Sequence, residues 1–210
     1  MKINQKGFTL VEIAIVLVII GLLLGGILKG QEMIIQAKIK NAITDYSGVS
    51  AAYFGYQDRY RFTPGDDSQA TRWTGAVAGD GNRVLTGLYT STTDTDETRK
   101  WWDHLRRSGF VSGSGYAQPS NAFNGILGVQ TGDGAATVGP TLGGFTALIM
   151  CSTNLPDKVA IALDIQMDDG LVNTGFVRGV ENSTTIGVAT ATAAVYVESG
   201  TNNYTLCRQF

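Results

Sequence analysis

The sequence is poor in the residues that build most catalytic centres. Only one of its 210 residues is histidine, His104. A zinc site with several imidazole ligands, or a Ser-His-Asp triad, therefore has almost nothing to be built from. No G-x-S-x-G elbow accompanies that histidine. Charge is scarce too: 16% of residues are Asp, Glu, Lys or Arg, against about 25% in an average globular domain. Lys and Arg number 16 against 18 Asp and Glu, and neutralising phosphates needs clustered cations, so no nucleic-acid partner is expected. No cofactor is called for, and an enzyme is not expected. The four prolines all fall at or after Pro64. Twenty-seven glycines amid many Thr, Ser and Asn residues point to a turn-rich β region over much of the chain.

Against these absences stands one long apolar run. From Phe8 to Leu28, 21 residues contain a single ionisable side chain, Glu12. As a helix rising about 1.5 Å per residue, the run matches the roughly 30 Å hydrocarbon core of a bilayer. Lys2 and Lys6 precede it, so the positive-inside tendency keeps the N-terminus in the cytosol and exports the rest. A secretory signal peptide shares the basic start and the apolar run but ends in a small-residue A-x-A cleavage site. Here the run exits through Gly25, Gly26, Ile27, Leu28, Lys29, Gly30, Gln31 and Glu32, and it is read as retained.

The residues Lys6-Gly7-Phe8-Thr9-Leu10-Val11-Glu12, followed by Ile13-Ala14-Ile15-Val16-Leu17-Val18-Ile19-Ile20-Gly21, resemble the start of a type IV prepilin or a type II secretion pseudopilin. A short basic leader, a glycine, an aromatic residue and one glutamate within an apolar stretch carry the resemblance. It covers about the first 60 residues well and the remainder loosely. It implies cleavage after Gly7 by a prepilin peptidase, methylation of the new Phe8 amine, and assembly into a helical filament of like subunits. Phe8 and Glu12 would be the assembly residues. The implied partners are membrane lipid before assembly, the peptidase/methylase and an inner-membrane assembly platform. The implied location is the bacterial inner membrane as a single-pass precursor, then an extracellular pilus or a periplasmic pseudopilus. One departure stands out: major pilins usually carry a helix-kinking proline where this sequence has Lys29, which keeps a minor pilin in play. A monomeric membrane-anchored binding or enzymatic domain is the remote alternative.

The expected organisation is a leader over residues 1–7, a long N-terminal helix over 8–60 with its transmembrane part at 8–28, and a globular domain over 61–210. Apolar or aromatic residues at Ile35, Ile39, Ala42, Tyr46, Val49, Tyr53, Tyr56 and Tyr60 recur every three or four positions, giving one helical stripe to pack on that domain. The tyrosines are read as core residues with their hydroxyls at the rim. Phe62-Thr63-Pro64-Gly65 ends the helix. A short helix is expected around Trp101, Trp102 and Leu105. Asp94 and Glu97 stand at capping-box spacing, Arg106 and Arg107 lie at its C-terminal end, and Gly109 closes it. His104 is read as a surface or half-buried structural residue, and Trp73, Trp101 and Trp102 as core anchors.

From Phe145 the pattern turns to β. Runs at Phe145–Met150, Val159–Ile165, Gly175–Val180, Ile186–Val197 and Tyr204–Cys207 suggest an antiparallel meander, with Asp168-Asp169-Gly170 as a tight hairpin between the second and third. Packed on the N-terminal helix, this makes a pilin-like α+β fold. Cys151 and Cys207 are the only cysteines. In an exported domain such a pair most simply forms one disulfide, and the positions resemble the disulfide closing the C-terminal loop of many pilins. Two buried thiols are the alternative. Asp164, Asp168 and Asp169 are a weak candidate for Ca²⁺, as bound by some pseudopilins near their C-terminal loops. Their spacing is not that of an EF-hand, and a solvated hairpin is the simpler reading. Gly79-Asp80-Gly81 and Gly132-Asp133-Gly134 read as turns, since no Gly-Lys-Ser/Thr follows either. Asn182-Ser183-Thr184 and Asn203-Tyr204-Thr205 fit the N-glycosylation pattern, which carries little weight in a bacterium.

Overall fold

With no proline before residue 64 and an apolar stretch rich in good helix formers, nothing interrupts a helix once it has started. The computed structural model describes residues 7, 9–132, 144–182, 189–192 (backbone only) and 195–210. Helix α1 runs unbroken over Leu10–Tyr60, 51 residues. It stops where expected: Arg61 turns to positive φ (64°), and Pro64 follows. The chain divides into two compact units, Met1–Lys38 and Ile39–Phe210, so residues 39–60 of α1 belong to the globular unit.

The stripe on α1 is the buried one. Ile39, Ala42, Tyr46, Val49, Ala52 and Tyr56 are buried, Tyr53 and Tyr60 half-buried, and Ile35 exposed. The hydroxyls of Tyr46 and Tyr56 are not at the rim. Tyr46 donates to the Leu206 carbonyl at 2.5 Å and Tyr56 to Asp67 Oδ2 at 2.5 Å, both inside the core. A buried phenol needs such an acceptor, and the core provides one for each.

Helix α2 (Glu97–Arg107) forms around the tryptophans, with Trp101, Trp102 and Leu105 fully buried, while Trp73 stays half-buried. Its N-terminus differs from the expected capping box. The residue before the helix is Asp96, which makes no side-chain cap bond. Asp94 instead pairs with Arg99 at 2.7 Å, and the Glu97 carboxylate accepts from the backbone N–H of Asp80 at 3.1 Å and of Thr86 at 3.0 Å. Loop closure outcompeted the local cap. The C-terminus is a Schellman motif: Phe110 N–H bonds the Leu105 carbonyl (3.0 Å), Gly109 N–H bonds that of Arg106 (3.1 Å), and Gly109 takes φ 81°, a conformation glycine adopts without penalty.

Among the described residues the sheet is antiparallel with five strands: β1 (Leu127–Thr131), β2 (Leu148–Pro156), β3 (Val177–Asn182), β4 (Ala189–Thr192) and β5 (Asn203–Gln209). Its order is β1-β2-β5-β3-β4, which corrects the meander: the last strand inserts between β2 and β3. The Val159–Ile165 run is not a strand but the centre of helix α3 (Asp157–Met167). β-branched content favoured a strand, yet Val159, Ala160, Leu163 and Asp164 are the buried positions, a three-to-four spacing that only a helix places on one face. Consequently Asp168-Asp169-Gly170 is the exit of α3, not a hairpin. Strand β1, which the sequence pattern did not signal, includes Gly128, where an added Cβ would collide with the Tyr89 carbonyl.

Cys151 and Cys207 face each other across the β2–β5 pairing and form a disulfide with S–S 2.05 Å. Helix α3 and strands β3 and β4 all lie within the loop it closes.

Candidate functional site

The apolar run is the segment that any membrane or assembly function must use. Within α1 an apolar stretch of 18 residues is wholly exposed, long and apolar enough to cross a bilayer. Leu10, Val16, Leu17, Leu22, Leu23, Leu24 and Leu28 are among the large side chains it leaves exposed. Past its end Lys29 and Glu32 form an exposed ion pair at 2.7 Å, the kind that adds little stability.

At the start of α1, Thr9 and Glu12 build a capping box. Glu12 N–H donates to Thr9 Oγ1 at 3.2 Å, and Glu12 Oε2 accepts from both Thr9 N–H and Thr9 Oγ1–H at 2.8 Å. Thr-x-x-Glu is the standard signature of a helix N-terminus. The signal is legible in the sequence as Thr9-Leu10-Val11-Glu12. Glu12 therefore has a local partner. All three bonds leave Oε1 without a donor among the described residues. Gly7 is described and exposed. Phe8, with Lys2 and Lys6, lies outside the described residues, so its distance to Glu12 is not part of this geometry.

Elsewhere, polar side chains are tied into the fold by hydrogen bonds. His104 is fully buried, not at the surface. Its Nδ1 accepts from Gly65 N–H at 2.9 Å, and its Nε2 lies 2.9 Å from the Val77 carbonyl. That pair of partners requires the neutral Nε2–H tautomer, and burial pushes the imidazole pKa down in the same sense. Asp67 binds the Arg72 guanidinium at 2.6 Å beside Tyr56. Burial alone would raise its carboxyl, but Arg72, Tyr56 and the Gln69 N–H outweigh it and hold the pKa below the usual range. Asp66 staples the Gly79-Asp80-Gly81 turn by accepting from Gly81 N–H (2.7 Å), Asn82 N–H (3.1 Å) and Arg83 N–H (2.7 Å). In Asn203-Tyr204-Thr205, Tyr204 and Thr205 are buried within β5, and in Asn182-Ser183-Thr184 the last two residues lie outside the described ones.

The structure does bring Asp164, Asp168 and Asp169 together: one carboxylate oxygen from each lies within 4.8 Å of the others. Protein donors already serve them. Asp164 accepts from the Tyr196 hydroxyl at 2.6 Å and Gly170 N–H at 3.3 Å, Asp168 from Val177 N–H at 2.8 Å, and Asp169 from Leu171 N–H at 2.8 Å and the Thr174 hydroxyl at 2.6 Å. Burial, aided by the neighbouring charges of Asp169 and Asp168, pushes Asp164 up to about 6 despite the bonds from Tyr196 and Gly170.

The described chain thus carries an exposed apolar helix start with a single glutamate near its N-terminus, followed by a disulfide-bonded α+β unit. Residues 2–28 match the family model described as the prokaryotic N-terminal methylation motif. That motif marks precursors of the type IV pilin and pseudopilin type. No curated protein and no solved structure matches the chain.

Proposed function

We propose that the chain is a structural subunit of a type IV pilus or a pilus-like filament, cleaved after Gly7, methylated on Phe8 and polymerised through α1. The observation that carries this reading is the match of the methylation motif to residues 2–28, the same segment whose apolar side chains α1 leaves exposed. Surface of that kind needs lipid or neighbouring helices around it, and a filament of like subunits supplies the second after the bilayer supplies the first. The Phe8 amine created by cleavage is the natural cation for Glu12: the next Lys in the sequence is Lys29, about 25 Å further along a helix. In the filament an incoming copy brings its own amine to the Glu12 of its neighbour. A type II secretion pseudopilin uses the same processing and helix packing and is the close alternative, distinguished by whether sheared cells release surface filaments. Calcium at Asp164, Asp168 and Asp169 is a secondary proposal. N-terminal sequencing of the mature protein tests the main reading: a first residue of methylated Phe8 is expected, and any other start overturns it.

A further inference from the structure

Among the described residues the Asp45 carboxylate has no partner. It sits half-buried on α1, and among the described residues no donor or cation reaches it; burial is the sole influence on its titration, raising its pKa. It lines an open groove of about 360 Å³ together with Thr44, Gly48, Trp102, Phe110 and Val111. Gly48 keeps the wall low, since a Cβ added there would meet nothing within 4 Å. An apolar floor beside one carboxylate suits an aliphatic stem that ends in a cation.

Such a side chain is available on the same helix. Lys40 is exposed, and its ammonium has no partner among the described residues, whereas Lys29, Arg72, Arg99, Arg107 and Lys158 are each paired with an acid. At about 100° per residue, Lys40 and Asp45 lie about 140° apart around α1. They do not meet within one chain, yet like-oriented copies present one of them to each side. Identical subunits related by a single screw operation are displaced by the same axial rise at every level. The filament reading pairs residue 8 of one copy with residue 12 of the next, an offset of four positions in sequence; the same offset on α1, about 6 Å, brings Lys40 level with residue 44, one position from Asp45. In both pairs the cation precedes the acid in sequence, so one direction of displacement serves both.

We propose that the groove beside Asp45 receives the Lys40 side chain of a second copy of this chain. The contact rests on the filament reading above and adds to it a second point of register, on the globular unit. The test is a charge swap in the full-length chain, read as the yield of sedimentable filaments. Asp45→Lys and Lys40→Asp are each expected to lower that yield about tenfold, and the double variant to restore it to within about twofold of wild type. In parallel, filaments of the Lys40→Cys/Asp45→Cys variant are oxidised and run without reductant; the native cysteines are already joined to each other, so a ladder of covalent multimers reports the contact. Wild-type yield from Asp45→Lys, or cysteine-variant filaments that give no ladder, overturns the contact and leaves the filament reading standing. A wild-type chain that is processed but never sediments overturns both.

Discussion

Two buried aspartates respond to pH in opposite directions, which gives a residue-scale test of the core. Asp164, raised to about 6 in the folded chain, binds its proton more tightly there than in the unfolded chain. Its contribution is complete below the unfolded value near 4 and is lost as pH rises through about 6. Asp67, held below the usual range, contributes above that unfolded value and loses its contribution as pH falls through its folded value. The melting temperature should therefore rise as pH is lowered from 8 to about 5. Asp164→Asn should abolish that rise, whereas Asp67→Asn should flatten only the acid limb. Calorimetry across pH checks both, and a wild-type profile flat between 5 and 8 would reject the Asp164 account. The same instrument tests calcium: a melting temperature that increases with calcium, falls with a chelator and loses both responses in Asp168→Asn/Asp169→Asn supports that ion, while superimposable curves reject it.

At the scale of elements, the disulfide fixes the strand that arrives last. Strand β5 is the C-terminal strand yet lies in the middle of the sheet, between β2 and β3, and Cys151–Cys207 ties it to β2 at a directly opposed pair. Closing a loop of this length stabilises a fold by roughly 4 kcal/mol in the chain-entropy model. Cys207→Ser should lower the melting temperature by several degrees and reduce subunit yield while leaving leader cleavage unchanged. Mass spectrometry of the processed N-terminus beside a thermal melt checks both halves. A second element-level expectation concerns α1. It is helical through Gly21, Gly25 and Gly26 in the free subunit, although each glycine weakens a helix by about 1 kcal/mol relative to Ala. With no proline nearby, these residues are where unwinding is expected when the subunit passes from lipid into a filament. Unbroken helical density over residues 21–26 in a filament map would refute this.

For the whole molecule the decisive residue is Glu12, because the cap in the structure and the charge contact proposed for the filament can be separated there. It caps α1 through Thr9, and in the proposed filament its charge meets the Phe8 amine of a neighbour. Glu12→Gln keeps an oxygen for the cap and removes the charge, whereas Glu12→Val removes both. If charge sets the register, Gln and Val variants are both cleaved normally and both assemble at least about tenfold less filament, with Glu12→Asp intermediate. Assembly of Glu12→Gln at the wild-type level would show that the cap is the whole role. Sedimentation of sheared filaments, read beside leader cleavage on a gel, separates assembly from processing.

Sequence alone determined the features whose physics is local or periodic. The apolar run with its one glutamate, the 3.6-residue stripe from Ile39 to Tyr56, the stop before Pro64 and the Gly109 helix end are each written in neighbouring residues, and each stands in the structure. The two cysteines pair in one disulfide. Tertiary structure decided what depends on partners distant in the chain. Val159 to Ile165 became a helix because Ala160, Leu163 and Asp164 are buried on one face, and its first residue, Asp157, is held by the N–H groups of Ser199 and Gly200 at 2.7 and 2.6 Å, some forty positions away. Glu97 left its local cap to bind the Asp80 and Thr86 backbone, and β5 entered the centre of the sheet, where pairing on both edges satisfies its backbone. Local propensities differ by only about 1 kcal/mol per residue, so a few long-range hydrogen bonds and a shared core are enough to overrule them.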